Sequence, residues 1–159
     1  MRKVLSRPLL LSIGLALPLV LLANAARARP NPRVADSVLG VRTGMSLDEV
    51  RARLGQLGTP AGRDTREGGR KEAWTLRGTG YSSIALKTDG QGRVVWVTGF
   101  LRPGREIPFS ELGNLAHAAR TTQSQAIWNV ATLAGGYRLV AKGQGGKARV
   151  TSLLSLSPP

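Results

Sequence analysis

The sequence predicts an α+β protein of one or two units, each a helix followed by a three-stranded antiparallel meander, with the helices packed on one face of the sheet. Three observations lead there. Residues 44–55 carry a capped helical pattern, three segments of strand composition follow it between 72 and 100, and the same order begins again at Pro108. The boundaries that result are 1–28 for an export signal, 29–39 for a flexible lead, 40–105 for a first unit and 106–157 for a second, divergent unit.

Residues 1–28 read MRKVLSRPLLLSIGLALPLVLLANAARA. Arg2, Lys3 and Arg7 precede an apolar run from Leu9 to Ala23, and small residues at Ala23, Ala25, Ala26 and Ala28 follow, the order that signal peptidase reads. The run falls short of the ~20 residues that span a bilayer, and Pro18 interrupts it. Cleavage after Ala25 or Ala28 is expected, which makes the protein periplasmic or secreted. An uncleaved anchor is the alternative, and an exported protein whose mass starts at Met1 would show it. Cleavage after Ala28 removes Arg2, Lys3, Arg7 and Arg27, so the formal charge falls by four from +14 to +10. The mature chain is therefore basic in its own right.

In the helix at 44–55, Ser46 is the N-cap and Glu49 reaches back to complete a capping box. Leu47, Val50 and Leu54 share a face, Asp48 and Glu49 suit the first turn, and Gly55 ends the helix. Residues 59–70 (TPAGRDTREGGR) hold turn formers and charge without an apolar period, and read as a loop. Strands are expected at 72–76, 83–88 and 93–100, with Asp89-Gly90-Gln91-Gly92 as a hairpin turn. The last strand is apolar on both sides; Trp96 and Phe100 share a face with Val94 and Thr98, opposite Val95 and Val97.

After Pro108, Leu112, Leu115, Ala116 and Ala119 have helical spacing, weakened by Gly113. Residues 126–133, 137–142 and 148–156 are strand-like. Trp128 matches Trp74, Gly136-Tyr137 matches Gly80-Tyr81, and Gly143-Gln144-Gly145 matches Gly90-Gln91-Gly92. Chance likeness in a chain with 20 Gly is the alternative to a repeat.

The run Gly44-Met45-Ser46, Glu49-Val50 and Leu54-Gly55, with an aromatic strand and a hairpin after it, resembles the SmpA/OmlA (BamE-like) domain. The likeness spans about residues 40–100 and, more faintly, 108–157. Doubled, it is similar to the tandem fold of the β-lactamase inhibitory protein. The resemblance implies a non-catalytic bacterial envelope domain that acts through protein contacts. BamE-type proteins carry a lipidated Cys and the inhibitor carries disulfides; this chain has no Cys, so neither feature transfers.

Absence of Cys also excludes thiolate metal sites and Cys nucleophiles, and the single His117 excludes a multi-His metal site. His117 stands among alanines without an acidic partner. Gly143-Gln144-Gly145-Gly146-Lys147 fails as a phosphate loop, because Ala141 replaces the first Gly and Ala148 the Ser/Thr. No catalytic set, cofactor or metal is expected, and the chain reads as a binding protein. Candidate binding residues are the aromatics Trp96, Phe100, Trp128 and Tyr137 and the cations Lys87, Arg93 and Arg102. The expected partner is an envelope or secreted protein met by an exposed sheet face; the alternative is an anionic lipid, lipopolysaccharide or wall polymer drawn by charge. A narrower variant is inhibition of a hydrolase such as β-lactamase, with Asp89 presented on its turn. Nucleic acid is not expected for an exported chain without a nucleic-acid motif. Arg outnumbers Lys 18 to 5, which genome composition alone could also produce.

Overall fold

The fold was described from a computed structural model, covering residues 33–66, 69–133 and 135–156. Residues 1–28, read above as an export signal, and the start of the lead lie outside the described residues. Helix α1 (Leu47–Leu54) forms where its capping residues place it. Ser46 Oγ accepts from the Glu49 amide, and Glu49 Oε2 accepts from the Ser46 amide at 2.8 Å. Val50 and Leu54 turn fully inward. The helix is followed by β1 (Gly58–Arg66), β2 (Gly69–Leu76), β3 (Tyr81–Thr88), β4 (Val94–Leu101) and the short β5 (Ile107–Pro108). Next come a single helical turn, α2 (Phe109–Leu112), and a 3-10 turn at Leu115–His117. The chain closes with β6 (Arg120–Thr121), β7 (Gln125–Thr132), β8 (Gly135–Gln144) and β9 (Lys147–Ser155).

Among the described residues, nine strands make one antiparallel sheet in the order β1-β2-β3-β4-β9-β8-β7-β6, with β5 beside β9. This overturns the α+β expectation of helix-plus-meander units: the described chain is predominantly one sheet, and among the described residues α1 is the one helix longer than a turn. Two physical causes explain the difference. The apolar spacing after Pro108 supports a single turn, because Gly113 takes an extended backbone (φ 172°) directly after Leu112, and Phe109 and Leu112 act as plugs into the core. Residues 59–70, read as a loop, instead supply most of edge strand β1. Its side chains are mostly exposed, so it needs no apolar alternation, and backbone pairing to β2 from Gly58↔Leu76 to Arg66↔Gly69 holds it. Pro, Gly and charge on an edge strand also discourage pairing with other chains.

The core lies on one side of the sheet, called here the inner face. Trp74, Leu76, Ile84, Leu86, Val97, Trp128, Leu139 and Leu153 project there and meet Val50 and Leu54 of α1, Phe109 and Leu112 of α2, and Val38 and Val41 of the lead. Full burial of a side chain of this size contributes roughly 1.5–3 kcal/mol. The described lead is pinned at Ala35, whose amide donates to the Leu112 carbonyl at 2.7 Å. It then makes a tight turn in which Val38 and Val41 exchange both backbone hydrogen bonds at 2.9 Å. Leu39 (φ 52°) and Gly40 (φ 75°) form that turn, both left-handed.

Register irregularities re-aim particular side chains. Lys87 pairs with Trp96 while Thr88 pairs with Val94, so Val95 is the extra residue of a bulge. Val94 therefore turns inward and is buried, and does not share a face with Trp96 and Phe100 as the simple alternation had it. Gly99 sits mid-strand on the inner face, where a Cβ would lie 2.6 Å from both the Tyr81 ring and Val38. The bare backbone is what lets the lead settle on the sheet.

Candidate functional site

Following the pairing register across the sheet gives the side chains of the opposite, outer face, in three rows perpendicular to the strands. The first runs Asp64, Lys71, Lys87, Trp96, Leu154, Arg138, Asn129. The middle row runs Gly62, Ala73, Ala85, Thr98, Ser152, Val140, Ile127. The third runs Thr75, Ser83, Phe100, Val150, Lys142, Gln125. Thr98 alone among these residues is buried, and its hydroxyl bonds Ser152 Oγ at 2.6 Å. Every large buried hydrophobic residue belongs to the inner face or to an element packed on it.

Apolar side chains nonetheless occupy the centre of the outer face: Trp96, Phe100, Val150, Leu154, Val140 and Ile127 are half-buried or exposed, Phe100 being 40% exposed. Cations surround them, with Lys71, Lys87, Arg138, Lys142 and Arg120 all exposed. Lys71 and Lys87 are direct cross-strand partners, an arrangement that like charge makes unfavourable for folding. Beside them the face sinks into a depression of about 450 Å³ floored by Ala73 and Ala85 and walled by Trp96.

The seven sequence-predicted residues separate into three groups. Trp96, Phe100 and Lys87 stand together on the outer face. Arg93 and Arg102 hold backbone: Arg93 Nη1 donates to the Gly44 carbonyl at 3.0 Å, while Arg102 Nη2 and Nε donate to the carbonyls of Leu76 and Thr79 at 2.6 and 3.2 Å. Trp128 and Tyr137 lie on the inner side. Trp128 is buried, with Nε1 donating to the Asn114 carbonyl at 2.9 Å. Tyr137 donates from its hydroxyl to the Val34 carbonyl at 3.1 Å and borders a cleft of about 330 Å³ shared with Asp36, Arg42 and Ser155. Burial, then the nearby Asp36 charge, pushes the Tyr137 hydroxyl above the ordinary tyrosine range. Lys71, Ala73, Ala85, Arg138, Lys142, Val140, Val150 and Leu154 were missed as members of one surface. The pairing of consecutive strands puts Lys71, Ala73 and Ala85 beside Trp96, and the strand order, which sets β9 between β4 and β8, brings the rest to them.

The other prominent electrostatic feature is buried beneath the sheet. The Glu72 carboxylate is fully enclosed and meets Arg51 Nη2 at 2.5 Å, with Arg63 and Arg70 guanidinium nitrogens at 3.6 and 3.9 Å. The bond to Glu72 raises the Arg51 pKa. A buried carboxylate survives only with such compensation, so the cluster reads as a tie between α1, β1 and β2. Asp89 is similarly engaged: its Oδ1 accepts from the amides of Gln91 and Arg93, both at 2.9 Å, and thereby closes its own turn. His117 ends the 3-10 turn on the surface. Among the described residues no three His, Asp or Glu come together as metal ligands, and no helix is long and apolar enough to cross a membrane.

No protein-family model, curated protein or solved structure matches this chain.

Proposed function

We propose that the protein is an exported, non-catalytic binding module that docks an envelope protein on the outer face of its sheet. The observation that carries this reading is the apolar centre of that face, six side chains from Trp96 to Ile127 with no described helix packed over them. A contiguous exposed apolar patch on a small domain is where partners dock, and aromatic anchors within a polar rim suit that use. The export signal at 1–28 and the resemblance of residues 44–55 to an envelope family support the setting. The charge of the rim favours a second reading, an anionic envelope polymer or lipid held by Lys71, Lys87, Arg138 and Lys142.

A photo-crosslinking residue at Ser83 or Gln125, on the outer face, should give one discrete protein adduct in envelope extract. The same residue at Asp48, on the exposed side of α1, should give none. Trp96→Ala with Phe100→Ala should abolish the adduct while the circular dichroism spectrum and thermal transition persist. Adducts from both faces alike would remove the reading. An interaction that vanishes between low and physiological salt would move the assignment to the anionic polymer.

A further inference from the structure

We propose that the depression beside Trp96 is a binding site for a single-chain amphiphilic anion, an alkyl phosphate or carboxylate, with its head on Lys71 and Lys87 and its chain along the alanine floor against Trp96. This goes beyond the docking reading and stands without it.

The like-charged pair is the first support. Lys71 and Lys87 face each other directly across β2 and β3, and neither makes an ion pair with a described residue. The one acid in register with them is Asp64, opposite Lys71, and Glu72 is committed to Arg51 on the other side of the sheet. Two adjacent ammonium groups that weaken the sheet in isolation become favourable when one anion bridges them, since charge-assisted hydrogen bonds are the strong ones.

Shape is the second support. The cavity of about 450 Å³ lies within the size range of small-ligand sites and has the usual make-up, an apolar lining with a few convergent polar groups. Its floor, Gly62, Ala73 and Ala85 in register, crosses β1 to β3, with Arg63, Asp64 and Lys71 at its edge and Trp96 beyond. Three strands at ~4.8 Å spacing make that floor roughly 10 Å across, enough for the head-proximal part of an extended alkyl chain. The half-buried indole of Trp96, in register with Lys87, supplies an apolar wall one strand from the proposed head group. A polar anion such as inorganic phosphate would use the lysines and leave this wall and floor unoccupied. The surface is concave, which favours one chain taken singly over the plane of a bilayer.

The test is a titration with dodecyl phosphate below its micellar concentration, read by calorimetry and by Trp96 emission. Trp74 and Trp128 are buried on the inner face, so a blue shift that Trp96→Phe eliminates reports this site. Saturable binding is expected, with inorganic phosphate and dodecyltrimethylammonium each at least about tenfold weaker. Lys71→Gln with Lys87→Gln should weaken dodecyl phosphate by about tenfold or more, and Ala85→Leu, which fills the floor, should do likewise while both lysines remain. Phe100→Ala, the variant aimed at the docked partner, should leave this affinity within about twofold. Equal affinity for the cationic detergent, an unchanged Lys71/Lys87 variant, or binding only to phosphatidylglycerol vesicles would each overturn the proposal. No discrete crosslinked adduct from the wild-type outer face, with amphiphile binding intact, would overturn the docking reading alone.

Discussion

The two faces of the sheet are written by alternate residues of the same strands, yet they are different materials. On the inner face Ile84, Leu86, Val97, Leu139 and Leu153 are fully enclosed, and two of the three tryptophans, Trp74 and Trp128, join them. On the outer face the third, Trp96, stands half-exposed among alanines, hydroxyls and lysines. Packing demands complementary volumes on the first face and fixes the register, because a one-residue slip would exchange the two sets. The second face carries no such demand. Its apolar centre, and lysines that make no ion pair with a described residue, are not what closes the core.

That contrast is open to direct attack. Trp128→Ala should have the largest effect, about 3–5 kcal/mol, because it removes an enclosed indole and strands the Asn114 carbonyl that accepts from Nε1. Phe100→Ala, on the opposite side, should cost about 1 kcal/mol. Urea unfolding measures both, and equal costs would mean that the outer aromatics are core residues. Gly99→Ala comes next, at about 1–3 kcal/mol. Its new methyl would crowd the Tyr81 ring and Val38, both at 2.6 Å. A lower urea midpoint at unchanged slope is expected. A neutral result would show that the lead does not lie tightly on the inner face.

How far the sequence disclosed this arrangement depended on whether a signal was local. Ser46, Glu49, Val50 and Leu54 are a self-contained pattern, and α1 with its reciprocal cap is where they put it. The strands of both meanders were visible within a residue or two at most ends, and so was the Asp89 turn, since each rests on alternation or on a glycine pair. Edge strand β1 was invisible, because paired backbone and exposed side chains leave no apolar period. The short α2 was overread, as apolar spacing continues through Gly113 where the helix does not. The outer face was legible only as Trp96, Phe100 and Lys87. Arg138, Val140, Lys142, Val150 and Leu154 reach that surface through the long-range pairing of β4 with β9, which nothing local encodes, whereas Lys71, Ala73 and Ala85 stand on β2 and β3, the consecutive neighbours of β4. Trp128 and Arg102 were misassigned for a related reason, since a Trp or an Arg looks the same in a sequence whether its nitrogens meet a ligand or the protein's own carbonyls.

The smallest effect sharpens the comparison from the covered side. Helix α1 shields the inner face, and Ser46 holds its first turn. Ser46→Ala should cost about 1 kcal/mol, typical of a lost N-cap. The same change should alter the acid limb of the stability profile. Hydrogen bonds from the Ser46 amide and hydroxyl hold the Glu49 pKa below its ordinary value. A carboxyl with a lowered folded-state pKa contributes stability above its unfolded pKa, near 4.3, and loses it as the pH falls through the folded value. Wild type should therefore lose stability in that acid window more steeply than Ser46→Ala, the two curves converging at the lowest pH. Urea midpoints taken between pH 7 and pH 3 measure it. Parallel, offset curves would show that the Ser46 hydroxyl does not act on the ionised Glu49 carboxylate and caps the helix only by accepting from the Glu49 amide; coincident curves would show that Val50 and Leu54 hold the helix without it.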